Sequence, residues 1–76
     1  MKTNNNREVH KMTVQKFIES LDIWSTVVVI DEKLAQTVAI ARLNLFDEIT
    51  SVYKYANRKI QNVVIDDATK TYTISI

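Results

Sequence analysis

The 76-residue chain contains no glycine, no proline and no cysteine. At ordinary usage of roughly 7% glycine and 5% proline, about nine such residues would be expected in this length. Phosphate loops, dinucleotide turns and nucleophile elbows need glycine where the backbone meets a ligand or turns with positive φ, so the absence argues against all three. Without cysteine there is no disulfide and no thiolate zinc site, and the single histidine, His10, cannot hold a metal alone. No apolar run approaches the roughly 18 residues of a membrane span. Met1 to Met12 is polar rather than signal-like, which sets the expectation of a cytoplasmic protein without a membrane partner. A charge excess is missing too. Ten basic and nine acidic residues leave +1, a balance that marks neither a strong nucleic-acid binder nor an acidic mimic of DNA.

What is present is globular. The hydrophobic share is 46% and the charged share 25%, far from the composition of disordered chains. A domain this small buries only about 60% of the surface its unfolded chain exposes. With neither disulfide nor metal available, reinforcement would have to come from self-association into a homodimer or higher oligomer.

Residues 1–12 read as an arm, because Lys2 to Lys11 carry three consecutive asparagines and only Val9 as an apolar residue. Residues 13–76 read as one domain. Thr13 can cap a helix in which Val14, Phe17, Ile18 and Leu21 follow at i, i+3, i+4 and i+7. The β-branched run Thr26 to Ile30 predicts a strand with apolar side chains on both faces. The next stretch is open to two readings. Leu34, Val38, Ala41, Leu45, Ile49, Val52 and Ala56 keep a helical spacing that would suit one long helix. Thr37, Val38 and Ile40 prefer a pleated surface, and the apolar residues between 34 and 46 spread around a helix rather than forming a stripe. A return strand from Gln36 to Ala41 is the preferred reading, its glycine-free turn at Asp31, Glu32 and Lys33 looser than a two-residue hairpin.

A second helix follows, with Ile49, Val52, Tyr53 and Ala56 on one face, Asp47 and Glu48 at its start and Arg58 and Lys59 at its end. Asn57 is the candidate for the left-handed conformation at its terminus. Gln61 to Ile65 and Thr71 to Ile76 predict two more strands, the last alternating between Tyr72, Ile74, Ile76 and Thr71, Thr73, Ser75. The sum is an α+β fold in the order helix, strand, strand, helix, strand, strand, with a mainly antiparallel four-stranded sheet and two helices on one face.

The runs TVQKFIESLD, TVVVIDE, ARLNLFDEI and the closing TYTISI resemble the layout of small uncharacterised accessory proteins encoded by phages and prophages of Gram-positive bacteria. The resemblance covers roughly Met12 to Ile76 and makes the middle segment a strand followed by a short helix. It implies an accessory role in a bacterial host cytoplasm, through contact with a host or phage protein, with anti-defence or host takeover as a specialisation.

The acidic pairs Asp31–Glu32, Asp47–Glu48 and Asp66–Asp67 are the ingredients of a Mg²⁺ site. Turn hydrogen bonding and dipole complementarity account for each pair separately. No catalytic group, metal or cofactor is expected, and His10 reads as a solvated arm residue. Phe17, Phe46 and Trp24 read as packing residues, with Trp24 also able to anchor a partner. The candidate protein interface is Trp24, the second apolar face of the first strand, for which Val27 and Val29 stand, and Thr71, Thr73 and Ser75 on a presumed edge strand. The alternative is a nucleic-acid module using Lys54, Tyr55, Arg58 and Lys59 with Lys2, Arg7 and Lys11 of the arm; there Tyr53 reads as core.

Overall fold

The computed structural model describes residues 12–76; the arm up to residue 11, His10 included, lies outside the described residues, and Met12 packs partly against the core. Helix α1 spans Val14–Glu19, strand β1 Thr26–Asp31, β2 Gln36–Arg42, helix α2 Phe46–Tyr53, β3 Asn62–Asp66 and β4 Thr71–Ser75. The strands form one sheet in the order β2-β1-β4-β3. Both hairpins are antiparallel, and the central pair, β1 with β4, is parallel. The sheet is therefore mixed, because a hairpin fixes only its own two strands and the docking of one hairpin on the other is set by the helices that cover them.

Both helices lie on the face that carries Val27 and Val29 of β1, Ala39 and Ala41 of β2, and Ile74 of β4, all buried. Small side chains on β2 leave room for α2, which packs on that strand through Val52. Phe17 of α1 meets Tyr72 of β4 edge to face, with ring centroids 5.9 Å apart. A one-residue bulge, where Val29 opposes Ala39 but Ile30 opposes Thr37, brings Val38 against the core.

Helix α1 has only six residues, too short to stand without support. Its start is tied down by the segment after α2. Val14 N–H donates to the Arg58 carbonyl at 2.9 Å, Gln15 N–H to that of Ala56 at 3.0 Å, and Lys16 N–H to Thr13 Oγ1 at 3.3 Å. The donors a helix start leaves unpaired are thus taken up.

Two turns replace glycine with aspartate and a left-handed residue. In the first, Asp31 Oδ1 accepts from the N–H groups of Lys33 and Leu34, and Ala35 has φ 56°. In the second, Asp66 Oδ1 accepts from Ala68 N–H and Lys70 has φ 53°. Asn57, expected to be left-handed, is not. Helix α2 ends early, at Tyr53 with Lys54 as a right-handed cap, so no left-handed terminus is required at residue 57.

Candidate protein-contact surface

The face of the sheet away from the helices is uncovered among the described residues. Alternation along each strand places Val28 and Ile30 of β1, Ile40 of β2 and Val64 of β3 on it, with Thr71, Thr73 and Ser75 of β4 between them. Register aligns Ile40, Val28, Thr73 and Val64 in a single row across all four strands. The outer members, Ile40 and Val64, are 57% and 60% exposed, while Val28 and Thr73 are half-buried by their neighbours.

This arrangement corrects part of the expected interface. Val27 and Val29 are fully buried under the helices, so the outward face of β1 is the one bearing Val28 and Ile30. A period-two run shows that two faces exist but not which one the helices choose. Thr71, Thr73 and Ser75 do lie on the open face, yet β4 is central, hydrogen-bonded to β1 and β3, and cannot accept an added strand. The sheet edges are β2 and β3.

At the end of the sheet where β1 begins, a turn presents Ile23 and Trp24 to solvent, Trp24 at 67% exposure. Asp22 Oδ1 accepts from Trp24 N–H at 2.9 Å, and Asp22 Oδ2 from Lys70 Nζ at 2.9 Å. These two contacts, the lysine first, hold the Asp22 carboxyl below its usual pKa. Leu43 N–H donates to the Ser25 carbonyl at 2.9 Å, bringing the segment before α2 to the same end. There Leu45 and Phe46 are exposed beside a shallow depression running from Asn44 to Glu48. Phe46, read as a packing residue, is 78% exposed because it starts α2 on the side away from Val52. Trp24 is likewise outside the core.

The β2 edge is closed in part by its own helix. Glu48 Oε1 accepts from Arg42 N–H at 2.8 Å and from Arg42 Nε at 3.1 Å, and Oε2 accepts from Nη2 at 2.6 Å. The guanidinium, aided by the backbone N–H, pulls the Glu48 pKa to about 2. A strand edge otherwise open to pairing is blunted at this end.

The basic group is dispersed rather than assembled. Tyr55 is half-buried against the core. Arg58 leans towards Asp31 at 4.0 Å, and Tyr53, read as core, is 39% exposed. Lys54 and Lys59 are exposed. Among the described residues no three histidine, cysteine or acidic side chains gather as a metal site, and no helix is long and apolar enough to cross a membrane. Asp31, Glu48 and Asp66 instead serve the turn and edge contacts described above. Comparison with protein-family models, with curated proteins and with solved structures returned no match.

Proposed function

We propose that this chain is a non-enzymatic protein-contact module whose working surface is the open face of the sheet, with Trp24 and Phe46 as anchors at its end. The observation that carries this reading is the row Ile40, Val28, Thr73, Val64, apolar but for one threonine and, among the described residues, uncovered from edge to edge. Small soluble domains rarely leave such a row to water unless something docks there. The resemblance of the sequence runs to phage and prophage accessory proteins supports a role of this kind in a bacterial host, where such a module acts by occupying a surface of another protein.

Affinity capture from a bacterial lysate tests the reading, with the full chain compared against Ile40→Lys and Trp24→Ala. Both substitutions fall on exposed side chains, so unchanged circular dichroism and, at high dilution, unchanged melting are expected. Wild type should retain a protein that both variants release. Equal retention by all three chains, or none by any, would remove the open face as a surface for a different protein.

A further inference from the structure

The charges on the open face form a pattern that a second copy completes. Register sets Arg42 of β2, Thr26 of β1, Thr71 of β4 and Asp66 of β3 in one row. A cation and a carboxylate thus stand at opposite edges of the sheet, three interstrand steps or about 14 Å apart. Two residues along, the apolar row runs between the same edges. Consider a two-fold axis parallel to the strands, lying between β1 and β4 just above the face. It carries β2 of one copy over β3 of the other, so that Arg42 falls on Asp66 of the second copy, and Asp66 on its Arg42. Ile40 falls on Val64 and Val28 on Thr73 in the same operation. We infer that this face is an isologous homodimer interface, two sheets packed about that axis with reciprocal Arg42–Asp66 pairs at its edges; the inference rests on the protein-contact reading above.

The local chemistry permits the second pairing. Glu48 engages Nε and Nη2 of Arg42, which leaves Nη1 for another carboxylate. Asp66 gives Oδ1 to Ala68 N–H, which leaves Oδ2. Sheets packed face to face stand about 10 Å apart with strands within roughly 30° of alignment, a gap that an extended arginine and an aspartate span end to end once Arg42 swings from Glu48 at the β2 edge towards the second copy. Area sets the strength. Four strands of five residues project roughly 300 Å², against about 800 Å² per partner in a standard stable complex. The dimer therefore belongs to the weak, concentration-dependent class.

Sedimentation velocity on the full chain, from micromolar to millimolar concentration, should show a monomer passing to a dimer. Arg42→Asp and Asp66→Arg should each weaken self-association at least about tenfold, because each homodimer would then set like charges together twice. An equimolar mixture of the two variants should recover the dimer, since the mixed pair restores opposite charges at both edges. Ile40→Lys, at an exposed position in the middle of the apolar row's outer strand, should abolish it. The geometry is overturned if the charge variants dimerise like wild type, or if folded variants fail to recover on mixing. A monomer in which side-chain labelling finds Ile40 and Val64 protected would give the face to another segment of the chain, and the dimer falls. A millimolar monomer whose lysate partner is still lost with Ile40→Lys removes the dimer alone; loss of that discrimination as well removes the protein-contact reading.

Discussion

The most exposed consequence of a chain without glycine sits at two residues, Ala35 and Lys70, whose φ values of 56° and 53° place a side chain where Cβ meets the following carbonyl. Such a conformation costs of order 1 kcal/mol for a residue with a Cβ. Glycine relieves that cost but returns about 0.4–1 kcal/mol of freedom to the unfolded chain. Ala35→Gly is therefore expected to raise stability by about 0.5 kcal/mol, and Ala35→Val, β-branched in the same well, to lower it by more. Urea midpoints at constant slope check both. A second residue-scale prediction concerns Glu48, whose carboxyl is held at about 2 against an ordinary 4.5 by the Arg42 guanidinium. A depressed folded value means that the contact contributes fully above pH 4.5, where the unfolded carboxylate is also ionised, and fades as pH falls towards 2. Glu48→Gln should lose stability at neutral pH and show a shallower decline between those limits, read as urea midpoints across the acid range. An identical slope in both proteins would mean that the Arg42 contact is not kept in solution.

Among the elements, α1 depends most on its surroundings, since its first turn hydrogen-bonds to Arg58, Ala56 and Thr13 rather than to a long helical body. Thr13→Ala is expected to cost about 1 kcal/mol, the usual loss for a capping side chain. Amide exchange should place that loss in opening of α1, and in the Ile60 N–H that donates to the Met12 carbonyl, before the sheet opens. The six elements themselves were legible: the valine run, the alternation in TYTISI and the i, i+3, i+4 spacings each state a local period. The choice of Gln36–Arg42 as a strand over a long helix was legible in Thr37, Val38 and Ile40, whose branched side chains crowd a helix. Local period carries no information about which hairpin edge meets which, so the parallel β1–β4 pair, and with it the central place of Thr71 to Ser75, could not be read. The same limit misplaced Val27 and Val29, because a strand apolar on both faces conceals which face the helices take. The exposure of Trp24 and Phe46 was not legible, since size alone predicts burial and only the course of the short connection before β1 and of α2 turns those rings outward.

At the scale of the molecule, 76 residues at roughly 0.05–0.15 kcal/mol each give a stability of about 4–11 kcal/mol, which the core must supply without a disulfide. Ile74 is fully buried and central, touched by both halves of the fold, and Ile74→Ala should cost about 2–5 kcal/mol, enough to unfold a chain at the low end of that range. A monomer so placed gains from association by mass action. A partner that binds only the folded state adds RT ln(1 + [L]/Kd), and in a homodimer the ligand is the protein itself. If the open face joins two copies, melting temperature must rise with protein concentration, by a few degrees across a hundredfold range when the dimer is weak. Ile40→Lys removes the contact without entering the core, so its melting temperature should be independent of concentration and meet the wild-type value at high dilution. A wild-type melting temperature that is flat across the range means that folding draws nothing from self-association, and the small core stands on its own.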